Sequence, residues 1–218
     1  MTRFQKNTAF LRRVGRFARE ETGTTLVELG IVLPIFLLIF FGLIDFGRFG
    51  SEYVMAEKAM ERAARIAVVR PPACAGVPTI NLRGPVPSNT VAPRFGTKCN
   101  AGPNICANAG TITCSGNAGD PTVSEIWSAI SGLLPRSATE ANLSISYTAD
   151  SQLGFLGGPY VPVVTVELQN LNFQFTSPLG GLAAMAGSPN TNIPGSTLPF
   201  PAMSVSLPAE DLGNGNGG

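Results

Sequence analysis

The stretch that decides the fold runs over residues 21–48 and reads "ETGTTLVELGIVLPIFLLIFFGLIDFGR". Within it, residues 29–44 carry no charge, and the next acid is Asp45. Counted from Thr24, the apolar run is about 21 residues long, or about 31 Å of helix, which matches a hydrocarbon core of roughly 30 Å. The stretch therefore predicts a helix that spans a membrane.

Basic residues lie on the N-terminal side of this run. Six Lys or Arg residues and two acids precede Gly23. The basic residues are Arg3, Lys6, Arg12, Arg13, Arg16 and Arg19. Because basic flanks stay in the cytoplasm, we expect a cytoplasmic N-terminus and a chain that lies across the membrane from about residue 45 onward.

Three interpretations compete for the apolar run. A secretory signal peptide would have an apolar core of about 7–15 residues that ends in small residues of the A-x-A type, whereas this run is longer and ends in "GLIDFGRFG". An ordinary signal anchor accounts for the length and the basic flank but gives no role to Glu28, at the mouth of the run. The third interpretation treats "GTTLVE", residues 23–28, as a processing site.

The processing-site interpretation rests on a resemblance. Gly23 followed by Thr-Thr-Leu-Val-Glu and an apolar helix resembles the cleavage site of type IV prepilins. The resemblance implies that an inner-membrane aspartyl peptidase cuts between Gly23 and Thr24 on the cytoplasmic side. Glu28 would then be the fifth residue of the mature chain. The family usually has Phe at the new N-terminus, where this chain has Thr24.

The physical chemistry of Glu28 favours the same interpretation. An acidic residue at the centre of a membrane helix costs about 2.5–3.5 kcal/mol on insertion scales, and less near the interface. Cleavage after Gly23 would create an α-amino group one helical turn away, and the helix dipole also favours a negative charge at this end. The resemblance implies that this glutamate meets the N-terminal amine of a neighbouring subunit. The alternative is a glutamate that only extends to the lipid headgroups.

A second resemblance narrows the family. "PIFLLIFFGLIDFGR" followed by "AEKAMERAARIAVVR" is similar to TadE-like proteins of tight-adherence (Flp, type IVc) pilus systems. That family typically has a Pro early in the membrane helix, an acid-aromatic-Gly-Arg exit and a downstream Ala-Ala-Arg helix. The matching positions are Pro34, Asp45, Phe46, Gly47, Arg48, Ala63, Ala64 and Arg65. The resemblance is strong over residues 23–70 and weaker over 122–150.

Helical character continues beyond the membrane run. Apolar residues recur at three- or four-residue spacing, at Tyr53, Ala56, Met60, Ala63 and Ala67. Glu61 and Arg65 are spaced to form a favourable i,i+4 pair. Pro71 and Pro72 end the pattern, so one helix is predicted over residues 25–69. The stripe of its second half is expected to pack on the soluble domain, and the alternative is that it meets a partner helix.

All four cysteines lie in a loop-like segment, residues 71–121. An even number of cysteines outside the cytoplasm predicts two disulfides, and four cysteines allow three pairings. We favour Cys99–Cys106 with Cys74–Cys114, because this pairing nests a small loop in a large one. A zinc site is the alternative, but the segment has no C-x-x-C spacing and the chain has no histidine.

The C-terminal part has the pattern of β-strands. Residues 142–148 and 160–175 alternate between apolar and polar, with a parity change near residue 169 that indicates a bulge or a turn. "PAMSVSLPAE" supplies a further strand, and Ser124 is predicted to cap a short helix over 125–134. The expected fold class is α+β: a long N-terminal helix, half transmembrane and half amphipathic, packed on a small antiparallel sheet with a disulfide-rich loop.

The observations divide the chain into segments of different character. They are a basic cytoplasmic leader (1–23), a transmembrane helix (24–45), its periplasmic continuation (46–70), a cysteine-containing loop region (71–121), an α+β pseudopilin domain (122–209) and a flexible tail (210–218).

No residue pattern indicates catalysis. Without histidine, Ser-His-Asp and Cys-His sites are excluded, and beyond the helix Lys98 is the one lysine that could serve a Ser-Lys site. We therefore expect no enzyme activity, no cofactor and no metal site. The net charge of +1 gives no indication of nucleic-acid binding.

The sequence and its resemblances together predict a minor pseudopilin of a tight-adherence pilus system. We expect it in the bacterial inner membrane, with its C-terminal domain in the periplasm or carried into the extracellular pilus. The expected partners are the prepilin peptidase, other pilins or pseudopilins, the inner-membrane assembly platform and the membrane. The alternative is a membrane-anchored periplasmic binding module that recognises a surface or envelope component and takes no part in a filament.

Overall fold

The computed structural model describes residues 21–175, 197–210 and 212, with the backbone alone at residues 21–24 and 197. The elements in chain order are α1 (Glu21–Ala67), β1 (Thr111–Ser115), α2 (Pro121–Ile130), β2 (Leu143–Thr148), β3 (Val163–Leu168), β4 (Asn172–Gln174), β5 (Thr197–Pro199) and β6 (Met203–Pro208). Most of the predicted leader and of the predicted tail lies outside the described residues.

Helix α1 is continuous through its 47 residues, about 70 Å at about 1.5 Å per residue. Pro34 lies inside it, and it ends at Ala67, shortly before Pro71 and Pro72. The single long helix predicted from the sequence is therefore confirmed. Its C-terminal end agrees with the predicted end to within two residues.

The second half of α1 packs on the folded domain, where it contacts α2, β3 and β6. Ala56, Met60, Ala63 and Ala67 are fully buried, which confirms the predicted apolar stripe. Alanines along this stripe let the helix backbone lie close to the sheet, so the second half of α1 forms one wall of the core. The predicted Glu61–Arg65 pair is wrong, because Glu61 Oε1 instead accepts a hydrogen bond from Lys58 Nζ at 2.9 Å.

The main sheet has four antiparallel strands in the order β1-β2-β3-β6. In β3, burial alternates residue by residue, and Val164, Val166 and Leu168 are fully buried. Strand β2 is paired on both sides, and its Leu143 and Ile145 are also fully buried. The sheet and α1 thus enclose one core, as the expected α+β class requires.

The parity change near residue 169 is a turn between two sheets. Asn170 has φ 57°, a left-handed conformation that asparagine tolerates better than most residues. Asn142 Nδ2 donates to the carbonyls of Gln169 and Asn170, at 3.2 and 3.0 Å. After this turn the chain leaves the main sheet, and β4 pairs with β5 in a separate two-stranded sheet.

Two sequence predictions need correction. Residues 111–115 were expected to be loop but form β1, which alternates in exposure and pairs with β2 across its whole length. The helix expected to be capped by Ser124 begins earlier, at Pro121. Asp120 caps it by accepting a hydrogen bond from Val123 N at 3.0 Å. Proline is well suited to the first helical position because it has no N–H to satisfy there.

The two disulfides are Cys74–Cys114 and Cys99–Cys106, the nested pairing favoured from the sequence. The larger bridge ties the chain that leaves α1 to strand β1, and the smaller one closes a tight loop. Because every cysteine is paired, none of them is available as a thiolate ligand for zinc.

Candidate functional site

The first half of α1 exposes nearly all of its apolar side chains. Its most apolar 18-residue window has a mean hydropathy of 2.7, and none of that window is buried. The exposed large side chains include Leu26, Ile31, Ile35, Phe36, Ile39 and Leu43. So large an apolar surface is unfavourable in water and indicates contact with lipid or with other helices. By length and composition, this helix is compatible with a single-pass membrane anchor.

Glu28 lies near the start of this apolar surface. Its side chain is exposed, and no basic side chain among the described residues pairs with it. Thr24 precedes it by one helical turn, about 6 Å along the axis. Gly23 and Thr24 lie in the same continuous helix as Glu28. A new amine at Thr24 would therefore lie close to this carboxylate.

The exit from the apolar run is built around Arg48. Its Nη1 lies 3.7 Å from Asp45 Oδ1, and its Nη2 lies 3.2 Å from Glu52 Oε1. Asp45 is only 1% exposed, and a buried carboxylate is costly unless a cation pairs with it. The guanidinium also lies over the Phe173 ring, 5.5 Å from its centroid. Arg48 thus links the end of the apolar run to strand β4.

A cluster of aromatic rings, which we call the aromatic junction, surrounds this exit. It consists of Phe46, Phe49, Tyr53, Phe173, Phe175 and Phe200. Phe49 contacts Phe173 and Phe200 edge-on, with centroids 5.2 and 5.9 Å apart. Phe46 contacts Phe175 in the same way at 6.1 Å. These rings fasten the β4–β5 sheet to α1 directly beyond the apolar run.

The aromatic junction is not evident from the sequence, although part of its signal is present. Phe46 belongs to the family pattern, and Tyr53 belongs to the predicted apolar stripe. Phe173 and Phe175 lie in the alternating segment 160–175, and alternation does not identify the residues that they contact. The rings come together because the chain turns at Asn170 and returns to the helix, a contact between distant parts of the sequence.

The remaining residues of the predicted family pattern serve different parts of the helix. Pro34 lies in the exposed apolar half, about 17 Å along the axis from Asp45. Ala63 and Ala64 are fully buried in the core, whereas Arg65 is exposed. Gly47 has open space where a Cβ would stand, so packing within this chain does not require its small size.

An exposed ion pair joins the segment that follows α1 to α2. Arg70 Nε and Nη2 donate to the two carboxylate oxygens of Glu125, both at 2.8 Å. The hydrogen bond from Arg70 lowers the pKa of Glu125, and the same interaction raises the pKa of Arg70. The geometry is bidentate, the strongest arrangement for an arginine and a carboxylate.

The part of the chain that the structure describes holds no group of three or more His, Cys, Asp or Glu side chains that could bind a metal ion. Helix α1 has an exposed apolar first half and a second half that packs on the domain. The Arg48 ion pairs and the aromatic junction lie at the boundary between these halves.

Residues 23–65 match the family model for TadE-like proteins. The match begins at Gly23, includes Glu28 and the exit around Arg48, and ends at Arg65. It confirms the resemblance to TadE-like proteins over the helix, about a fifth of the chain. No curated protein and no solved structure matches the chain.

Proposed function

We propose that this chain is a TadE-like minor pseudopilin that acts in the assembly of a tight-adherence pilus. The TadE-like match over residues 23–65 carries the proposal. The structure supports it by giving that segment two surfaces, an exposed apolar half and a half buried in a disulfide-bonded domain. A structural subunit needs both surfaces, one for the membrane or the filament and one to hold its own domain.

In this proposal the prepilin peptidase cuts between Gly23 and Thr24 on the cytoplasmic face of the inner membrane. The basic leader holds the N-terminus in the cytoplasm, and the domain lies in the periplasm. Processing frees an amine at Thr24, and the mature subunit can then join other pilins or pseudopilins at the assembly platform. The chain is a substrate in this scheme, and its own role is structural rather than catalytic.

Assembly in this proposal proceeds by lateral packing of the exposed apolar helices. Glu28 fixes their register by pairing with the N-terminal amine of a neighbouring subunit. Opposite charges within about 4 Å attract by about 4 kcal/mol at an effective dielectric constant near 20, and by more in a drier environment. No basic side chain among the described residues of its own chain pairs with Glu28. Besides the amine at its own Thr24, the carboxylate can therefore accept the amine of a neighbouring subunit.

Replacement of Glu28 tests the role in assembly. We expect Glu28→Ala to insert into the membrane at the normal level but to lose co-assembly with the other subunits, because the register contact is gone. The measurement is the amount of the chain in sheared pilus fractions and in cross-linked inner-membrane complexes. Glu57→Ala is the matched control, since Glu57 is an exposed glutamate on the domain half of the same helix.

Normal co-assembly of the Glu28→Ala variant would contradict the register role. It would favour the membrane-anchored binding module, in which Glu28 does not pair with a neighbouring subunit. Loss of membrane insertion would show that Glu28 acts in insertion rather than in register, and this outcome also counts against the proposal.

A further inference from the structure

A cavity of about 560 Å³ lies beside the exit of α1 from its apolar run. It is an open cavity, lined by the helix, by strand β4 with the residue that follows it, and by the loop that follows α2. Its polar lining includes Arg48, Glu52, Arg136, Ser137 and Gln174, and Phe175 contributes an apolar part. A volume of this size is in the range of sites for small ligands, roughly 300–1,000 Å³.

The position of this cavity relative to the membrane follows from its place along α1. Ile44 is the last exposed large residue of the apolar run, and Arg48 lies one turn further, about 6 Å along the axis. Phe175, on the other side of the cavity, contacts Phe46. Lipid headgroups occupy about 5–8 Å on each side of the hydrocarbon core. Glu52 lies about 12 Å beyond Ile44 along the axis, but its carboxylate is 3.2 Å from Arg48 Nη2. When the apolar run spans a bilayer, the cavity therefore begins at the level of the headgroups and extends just beyond them.

The two arginines of the cavity differ in their partners. Arg48 is engaged by the carboxylates of Asp45 and Glu52. Arg136 is exposed, and among the described residues it has no carboxylate within ion-pair distance. Its loop is held in place, because Ser137 Oγ donates to the carbonyl of Asn172 in β4 at 3.2 Å. Arg136 thus gives the cavity an exposed cation on a loop that is tied to β4 at the next residue, and this cation can bind an anion.

The carboxylate of Glu52 gives the cavity a second requirement. Its side chain is 27% exposed, and it lines the same cavity as Arg136. Glu52 Oε1 accepts a hydrogen bond from Arg48 Nη2 at 3.2 Å, and the other carboxylate oxygen has no hydrogen-bond partner among the described residues. A ligand that carries only negative charge would leave that oxygen without a donor. A ligand with an anion and a cation close together would satisfy both Arg136 and Glu52.

We propose that this cavity binds the headgroup of a phosphatidylethanolamine-type phospholipid. The phosphodiester accepts hydrogen bonds from Arg136, whose planar fork matches phosphate oxygens. The primary ammonium donates to Glu52, which a quaternary ammonium cannot do because it has no N–H. The proposal rests on the membrane-spanning placement of α1 in the proposed function. The bound lipid would fix the height of the domain above the membrane, and entry into a filament would require its release.

Native mass spectrometry of the full chain in mild detergent tests the proposal. Phosphatidylethanolamine, phosphatidylglycerol and phosphatidylcholine are added at equal concentrations, and the lipid retained per chain is measured. We expect preferential retention of phosphatidylethanolamine. Arg136→Gln should lower retention of that lipid at least about tenfold, the loss expected for a charge-assisted hydrogen bond. Arg136→Lys should restore part of it.

A second pair of variants separates the two contacts. Glu52→Gln should remove the preference for phosphatidylethanolamine over phosphatidylglycerol while leaving the phosphate contact intact. Arg94→Gln is the matched control, because Arg94 is an exposed arginine outside the cavity, and its lipid retention should equal that of the wild type. The two disulfides and the fluorescence of Trp127 report whether each variant is folded.

Several outcomes would overturn the headgroup site. Equal retention of all three lipids would do so, as would equal behaviour of Arg136→Gln and Arg94→Gln. Competition by soluble glycerophosphoethanolamine at the concentration of the lipid would mean that the site takes a free phosphodiester instead. Flotation with liposomes keeps this test apart from the proposed function. A chain that fails to float contradicts the shared membrane placement, whereas a chain that floats without retaining lipid contradicts the headgroup site alone.

Discussion

At the scale of single residues, Tyr147 links the sheet to the segment that follows α1. Its ring is fully buried, and its hydroxyl accepts a hydrogen bond from Ala73 N at 3.0 Å. Burial raises the pKa of Tyr147 above its ordinary value. Ala73 precedes Cys74, and this hydrogen bond therefore positions one end of the larger disulfide.

Removing this hydroxyl should destabilise the domain. We expect Tyr147→Phe to lower the free energy of unfolding by about 1–3 kcal/mol, because the half-buried Ala73 N–H loses its acceptor. Chemical denaturation followed by Trp127 fluorescence measures the change. Tyr53→Phe is the matched control on α1, where we expect a change within about 0.5 kcal/mol. Equal effects of the two variants would contradict the role given to Tyr147.

The disulfides allow a second prediction at this scale. The Cys74–Cys114 bridge spans 40 residues and Cys99–Cys106 spans 7. By loop-closure entropy the larger bridge contributes about 4 kcal/mol and the smaller about 2.5 kcal/mol. Replacing each pair by alanine and comparing free energies of unfolding checks this order. A greater loss on removing Cys99–Cys106 would contradict it and would assign that loop a larger structural role.

At the scale of elements, the ion pair between Arg70 and Glu125 ties the end of α1 to α2. Because the hydrogen bond from Arg70 lowers the pKa of Glu125 in the folded chain, the pair stabilises the fold above the unfolded pKa of glutamate, about 4.3. This contribution is lost as the pH falls through the lower, folded pKa. Both side chains are 44% exposed, so salt should also weaken the pair.

Denaturation midpoints of the wild type and Arg70→Gln, measured across the acid range, test this linkage. We expect the wild type to be the more stable at neutral pH. The difference in stability between the two proteins should shrink as the pH falls below the pKa of free glutamate, because protonated Glu125 no longer pairs with Arg70. Lys58→Gln is the control, because Lys58 and its partner Glu61 both lie in α1 and their ion pair does not join two elements. A difference that grows in acid would contradict the assignment.

The elements also differ in how far the sequence determined them. The long helix was predictable, because charge-free length and the spacing of Ala56, Met60 and Ala63 are local properties of the chain. Strand β3 was predictable from its alternation. Strand β1 was missed because glycines, asparagines and prolines on both sides gave its short "TITCS" segment the composition of a loop.

The junction beyond the membrane run was not predictable for another reason. The residues of its exit were recognised as a pattern, but their partners Phe173, Phe175 and Phe200 lie more than a hundred residues further along the chain. Periodicity indicates which residues are buried, but it does not identify what they contact. The cap of α2 shows a smaller form of the same difficulty, since both Asp120 and Ser124 have side chains suited to capping.

At the scale of the whole molecule, one helix serves two environments. Its first half exposes an apolar surface long enough to cross a bilayer, and its second half completes the core of a domain held by two disulfides. The Arg48 contacts and the aromatic junction join these halves where the environment changes. In the proposed function, this rigid connection transmits the position of the helix in the membrane or filament to the domain outside.

The mature N-terminus decides whether the chain is processed as a pilin-class subunit. Mass spectrometry of the protein purified from its native host, with and without the prepilin peptidase, gives that N-terminus. We predict a chain that begins at Thr24 only when the peptidase is present. An N-terminus at Met1 or Thr2 in both strains would contradict it and leave a membrane-anchored periplasmic domain.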